Sequence, residues 1–558
     1  MRQNWNPSRA AVDTVDRSPR TWIWWAAMLI LGLLLGTATL QAEPIRVSTA
    51  QPDLDRKPLL PIEDGRIKLS IQDAVSNALE RNLSLVVERY FTEEADLVIL
   101  QNRGIFDLFA TADLSHLEET APTASNLAGA EVQEFEQSDF NFGLDQLIST
   151  GGTFLVDWNN RRSETNSFFA SLNPSYRIDM DVTFSQPLLK NLGSLATERN
   201  ILISRTNKDI SLESFELQVT NLILQVENAY WNLAESIAQL EVAEESLDLA
   251  KQLHEQNQIR VEVGTMAPLE LVQSEAGVAQ RQLDIIRARA AVGDRGDVLR
   301  QLLNIERDGT LWSMPIDPTT NPFSDPFEVD IEKAVSTALA ERPEIRRKYL
   351  SLSNQELDVR YFGNQRKPRL DVTGTYGLNG LGGDITERDI FTGEIFGTEE
   401  GGYGDAIDQI LNADFDGWRV ALNFAYPIQN RTAKAQKAIA DVNYERGQAE
   451  LNDLELAIVT EVRRVARLLE ASAEAVDSAQ VNRRLQEENY EAEKKRYANG
   501  MSTSFQVLRI QGDLSESRRQ YVAAVAAYRR SLALHYQSLG TLIPQSSVKI
   551  IEGEETVQ

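Results

Sequence analysis

Three histidines, His116, His254 and His535, are the only imidazoles in the chain, no two of them are neighbours in sequence, and cysteine is absent. The missing thiols exclude disulfides, thiol catalysis, zinc–thiolate centres and a lipid anchor on a leading cysteine. Scattered histidines lack the clustering that metal ligands show. No nucleophile elbow, Walker A loop or zinc-ligand spacing occurs, and the Gly377–Gly383 cluster, without an amphipathic helix after it, reads as a loop. Carboxylates abound: 83 acidic residues face 56 basic ones, for a formal charge of −27. A pair of carboxylates therefore has no individual meaning here, and nucleic acid, which requires a basic surface, is excluded as a partner. Neither a catalytic site nor a cofactor is expected.

With no chemistry to position, the elements themselves carry the information. The 558 residues exceed what one ordinary core organises. A composition 42% hydrophobic and 25% charged fits neither a polytopic helical membrane protein nor a disordered chain. At the start, Arg2, Arg9, Arg17 and Arg20 precede an apolar run from Trp22 to Leu35, followed by Gly36, Thr37 and Ala38, with Ala42 before Glu43-Pro44. This order is that of a secretory signal over residues 1–42, cleaved after Ala42 or Ala38. The other reading, an uncleaved anchor, needs about 20 apolar residues. No comparable run recurs after Leu40.

The chain repeats itself. Ile71 to Leu79 is echoed by Ile331 to Leu339, Val182 to Leu188 by Leu422 to Ile428, and Arg260 to Gly264 by Arg496 to Gly500. Each repeat opens with short helices, turns to period-two strands and ends in a long helical stretch. Phe106, Leu108, Ala110, Ala112 and Leu114 alternate with polar neighbours, interrupted only by Phe109, as do Ile178, Met180, Val182 and Phe184, then Leu370, Val372 and Tyr376, then Val420, Leu422 and Phe424. Such strands have one apolar and one wet face, which suits a sandwich core or a lipid-facing barrel wall, and the pattern leaves both open. Trp158, Tyr176, Trp418 and Tyr426 stand near strand ends, and the polar stretch Asn379 to Gly417 is expected to be an external loop of a barrel or a disordered surface segment. Val226, Tyr230, Leu233, Ile237, Leu240, Ala243, Leu247 and Ala250 step by threes and fours, the seam of a coiled coil. Each long helix stops at a glycine, Gly264 or Gly500, and another begins shortly after, giving two antiparallel hairpins.

In this duplicated order the chain resembles the TolC-type outer-membrane efflux channels. The resemblance rests on the paired segments at Ala74 and Ala334, on Pro187 and Pro427, on Tyr230-Trp231 and on the two hairpin tips, and it covers residues 67–542. It implies an α+β membrane protein: a homotrimer whose strands share one β-barrel in outer-membrane lipid and whose helices share one periplasmic tunnel. The implied function is a passive exit duct of a tripartite efflux or type I secretion system, coupled through a periplasmic adaptor to an inner-membrane pump. The implied organisation is a signal peptide (1–42), a linker (43–66), repeat 1 (67–310), an equatorial segment (311–328), repeat 2 (329–542) and a tail (543–558). Pro187 and Pro427 would mark the strand-to-helix junctions, and Val263, Gly264, Thr265, Gly500 and Met501 the adaptor contacts. Family gate positions map onto Glu270 and Tyr497. Ser502 stands where the family often has arginine, and Gln506 and Arg509 where it often has acids, so a weaker closure without an acidic constriction is expected. Glu270 and Arg509 as plain solvated helix charges is the other reading.

Two alternatives compete. A periplasmic coiled-coil adaptor usually has one hairpin, against two here. An exported enzyme on a coiled-coil stalk lacks any motif to support it. One expectation departs from the family's usual two strands in the first repeat. Phe140, Phe142 and Leu144, then Phe154, Val156 and Trp158, form two further alternating segments around the turn Ser149 to Gly152. This predicts six strands per protomer and a wider barrel, with an extracellular flap as the competing placement.

Overall fold

The computed structural model describes residues 60–123, 130, 132–306, 309–322, 329–388 and 394–545. The expected signal, most of the 43–66 linker and most of the 543–558 tail lie outside them. Both repeats begin alike. Helix α1 (Ile71–Arg81) is capped by Ser70, which accepts from the Asp73 amide at 3.1 Å. Helix α2 (Leu83–Arg103) follows after Asn82, which caps it through the Ser84 amide at 3.0 Å.

Six long antiparallel strands form one sheet in the spatial order 416–425, 369–388, 172–187, 153–165, 132–147 and 109–122. The first repeat supplies β1 (Phe109–Pro122), β2 (Val132–Leu147), β3 (Thr153–Thr165) and β4 (Leu172–Pro187). The second supplies β5 (Arg369–Arg388) and β7 (Asp416–Ala425), while the short β6 (Ile395–Glu399) pairs with the end of β5. Residues 138–162 pair with neighbours on both sides, so the extra hairpin belongs to the sheet. Its turn closes through the Ile148 amide on the Gly152 carbonyl, with Gly151 at φ 87.

Cross-strand partners sort the two faces. Ala112, Phe142, Trp158, Met180, Leu378 and Asp416 lie in one row, and Leu144, Val156, Val182, Tyr376 and Trp418 in the next. The other face carries Asp113, Asn141, Asn159, Asp179 and Asn379, again as partners. Phe106 and Leu108 fall before the strand, because Gly104–Phe106 makes a 3-10 turn; Phe109 opens β1 on the polar face, opposite Asp145.

Over its described residues, 379–388 and 394–417, the expected loop is instead largely strand and helix. Strand β5 runs through the Gly377–Gly383 cluster, and helix α7 (Tyr403–Asn412) lies on it. A Cβ at Gly380 would stand 2.1 Å from the Ala406 carbonyl oxygen, and one at Gly382 2.2 Å from that of Gly402. The glycines are seats for a helix, and they look like loop residues only while that helix is unknown.

The second repeat opens with α5 (Ile331–Glu341), capped by Asp330, and α6 (Pro343–Gln365), started by its proline. The long helices are α3 (Arg199–Glu262) and α8 (Arg431–Ala498), of 64 and 68 residues, about 100 Å each at 1.5 Å per residue. Their returning partners α4 (Pro268–Leu302) and α9 (Ser504–Leu539) are half as long. Beyond them α2 packs on α3 and α6 on α8, so two short helices flank each long one. Where they meet, a small sheet (Ile62–Glu63, Arg66–Leu69, Ile316–Pro318) covers a core of Ile67, Leu69, Ala74, Val226, Tyr230 and Leu299. Tyr230 is fully buried there; its hydroxyl donates to the Leu69 carbonyl at 3.0 Å and accepts from the Thr320 amide at 2.9 Å. Among the described residues no helix is long and apolar enough to cross a membrane.

Candidate tunnel gate at the hairpin tips

Both long helices end in the same turn. The Gly264 amide donates to Val261 O at 3.0 Å and Thr265 to Arg260 O at 2.8 Å; Gly500 donates to Tyr497 O at 3.1 Å and Met501 to Arg496 O at 2.9 Å. These are two Schellman closures, with Gly264 at φ 74 and Gly500 at φ 70. Pro268 then starts α4, and Thr503 caps α9 by accepting from the Gln506 amide at 3.3 Å.

Side chains from the first hairpin reach the second. Glu270, in the first turn of α4, accepts from the Ser504 amide at 3.3 Å and from the Ser504 hydroxyl. Arg260 lies 4.5 Å over the Tyr497 ring and donates from Nη1 to the Tyr497 carbonyl at 3.3 Å. The Tyr497 hydroxyl donates to Asn257 Oδ1. Burial, with the Glu270 carboxylate adding to it against the pull of Arg260, pushes the Tyr497 phenol above its ordinary value, so it stays protonated and donating. Leu253, Tyr490, Tyr497, Val507, Ile510 and Leu514 pack around these bonds as one apolar cluster.

In the second hairpin the polar groups turn inward. Glu493 is 3% exposed, and its carboxylate accepts from Arg496 Nη1 at 3.0 Å and from the Ser502 hydroxyl. Glu270 and Tyr497 thus sit at one junction and Ser502 beside it on Glu493. Gln506 enters only through its backbone amide, and Arg509 is exposed. Val263, Gly264, Thr265, Gly500 and Met501 are all exposed at the ends. Sequence reasoning missed Asn257, Arg260, Glu493 and Ser504. Asn257 and Glu493 each stand seven residues before a tip glycine on an otherwise apolar seam, a signal that was available.

Pro187 and Pro427 occupy the other end. Pro187 is the last residue of β4, but α3 begins only at Arg199; Pro427 follows β7, and α8 begins at Arg431 after Asn430 at φ 45. Both close strands, and neither opens a helix.

The sequence matches the outer membrane efflux protein family over residues 156–304 and 334–541, more than half the chain; β1 and β2 lie outside the match. No curated protein matches the sequence significantly. Among solved structures, the fold is similar to the Campylobacter jejuni CmeC outer membrane channel, at 16% identity and TM-score 0.59, covering 85% of this chain and 86% of that one. It is similar also to Vibrio cholerae VceC, at 13% identity and TM-score 0.59, covering 84% and 96%. The Neisseria gonorrhoeae MtrE channel in its open state matches at 16% identity and TM-score 0.57, covering 85% and 89%.

Proposed function

Because this chain belongs to the outer membrane efflux protein family, and is an outer-membrane channel reaching into the periplasm with no catalysis of its own, we propose that three copies close one 18-stranded barrel over one helical tunnel. The observation that carries this is the pair of sheet edges. Strands β1 and β7 are exposed along nearly their whole length, and each has an apolar face. In lipid, unpaired edge amides and carbonyls are untenable, and only a closed sheet removes them. Pairing β7 of one copy with β1 of the next closes the ring. The polar face, with Asp113, Asp157, Asp179 and Asp181, then lines the water path, and 18 strands are enough for an open aqueous lumen. A soluble adaptor would leave the whole apolar face in water.

At the periplasmic end, Glu270–Ser504 and Arg260–Tyr497 join the two hairpins of one protomer, and in this reading these bonds keep the tunnel closed. Val263, Leu269, Met501 and Phe505, all exposed, offer an adaptor an apolar contact, and the adaptor links the duct to an inner-membrane pump. The absence of native cysteine permits a direct test. Leu114→Cys on β1, combined in turn with Val420→Cys and Leu422→Cys on β7, should give an oxidation-dependent covalent trimer for at least one pairing. Monomer alone in every pairing would reject closure through these edges.

A further inference from the structure

Strand β7 stops pairing with β5 at Asp416–Leu378, ten residues short of the end of β5. Helix α7 covers the edge that remains. The Gln409 side chain accepts from the Leu381 amide at 2.9 Å and donates to the Leu381 carbonyl at 3.0 Å, and the Asn379 amide donates to Phe415 O at 2.9 Å. Ala406 and Ile410 are buried over Ile178, with Trp158, Met180 and Leu378 around them. All four sheet residues belong to the apolar face. Given the barrel proposed above, on which this inference rests, α7 therefore lies outside the wall and not in the lumen.

The helix also has a direction. Its start packs on Gly382, its middle on Gly380 and its end over Leu378, so it descends toward the apolar band as it runs. The exposed acids Asp405 and Asp408 come first. Leu411, 75% exposed, and Phe415, 57% exposed, come last and lead into Trp418, 78% exposed, on the lipid face of β7. From Leu370 to Leu378 the apolar face of β5 rises only about 19 Å, at ~3.3 Å per residue and a ~45° tilt, against the ~25 Å band usual for such barrels. One turn of α7 adds about 5 Å.

We propose that α7 is an external interfacial anchor, with Leu411 and Phe415 among the outer-leaflet acyl chains and Asp405 and Asp408 at the headgroup and water level. The occupant follows from continuity: the exposed apolar pair extends the lipid-facing row of β7 without a break. The test uses full-length protein carrying single nitroxide labels, in vesicles of phosphatidylethanolamine and phosphatidylglycerol. Labels on Leu411→Cys and Phe415→Cys should behave like one on Val420→Cys, with an oxygen-to-nickel-chelate accessibility ratio several-fold above that at Asp408→Cys. All four sites are exposed, and unchanged heat-modifiable migration verifies folding. Chelate access at 411 and 415 equal to that at 408 would overturn the anchor. So would shielding from both reagents, which would mean that a neighbouring subunit covers the helix. In both outcomes a lipid-exposed Val420 leaves the barrel standing, whereas a chelate-accessible Val420 removes the barrel and this inference with it.

Discussion

Asn257 and Glu493 stand seven residues before Gly264 and Gly500, Arg260 and Arg496 four before, and Glu270 and Gln506 six after. The backbone at the two tips is the same Schellman turn, so the difference between the hairpins is one of side chains. In the first, Arg260 and Glu270 reach across to Tyr497 and Ser504. In the second, Arg496 folds back on Glu493, and the side chain of Gln506 makes no cross-hairpin bond among the described residues. At the tips the charged contacts come from the first hairpin, and the second returns the Tyr497 hydroxyl to Asn257. Duplication supplied two equal turns, and divergence at a few positions made their contact directional.

The sharpest way to break this comparison is to remove the holding pair. Charge-assisted hydrogen bonds contribute about 1.5–3 kcal/mol each, so Arg260→Ala with Glu270→Ala should shift the closed state by about 3–6 kcal/mol. Single-channel recordings in planar bilayers should show an open-to-closed ratio raised by at least about a hundredfold. The equivalent pair in the second hairpin, Arg496→Ala with Gln506→Ala, should leave conductance near wild type. Equal effects from the two pairs would end the directional reading.

The contrast continues up the helices. Glu227 in α3 corresponds to Arg463 in α8, which is exposed. Burial raises the Glu227 carboxyl to about 7, against the opposing pull of Arg529. A folded pKa above the unfolded one gives stability that is full below about pH 4.5 and lost as pH rises through about 7. Glu227→Gln should therefore come close to wild type near pH 4 and raise the thermal midpoint at pH 8.5. The gain is on the order of 2 kcal/mol per protomer, allowing for water at the half-buried side chain. An exposed-site change, Arg463→Gln, should show no such pH dependence.

What could be read beforehand followed from periodicity. Phe140, Phe142, Val156 and Trp158 announced two extra strands because a one-faced strand must alternate. Helix α7 escaped because only Ala406 and Ile410 of its ten residues are buried, and its glycine seats lie some twenty-five residues earlier. At the hairpin tips, resemblance pointed to Glu270 and Tyr497, but the residues they contact, Ser504 and Arg260, are more than 230 residues away along the chain. A serine or an arginine on a long helix has no local signature for such a bond. Glu493 was legible as a polar residue seven before the tip glycine on an apolar seam, but the many acids around it drew attention away.

Within the second hairpin, Glu493→Gln should loosen the tip without opening the tunnel. Its carboxylate serves Arg496 and Ser502 of the same hairpin, so the loss of about 1–2 kcal/mol is local. Limited proteolysis between Asn499 and Thr503 should accelerate while conductance stays unchanged. An increase in conductance comparable to that of the Arg260 and Glu270 pair would show that the inward-turned carboxylate holds the gate after all.

The smallest effect concerns what the tips share. A Cβ at Gly264 or at Gly500 would meet no atom within 4 Å, so substitution by alanine creates no clash at either tip. The cost is that of holding an L-residue at φ near 70, about 1 kcal/mol in each case. Gly264→Ala and Gly500→Ala should therefore lower the thermal midpoint by the same small amount, despite the unlike side chains around them. Hydrogen exchange at Thr265 and Met501, whose amides complete the two turns, should quicken equally. If Gly264→Ala cost clearly more, the first tip would be using its turn to aim Arg260 and Glu270, and the asymmetry would extend from the side chains into the backbone.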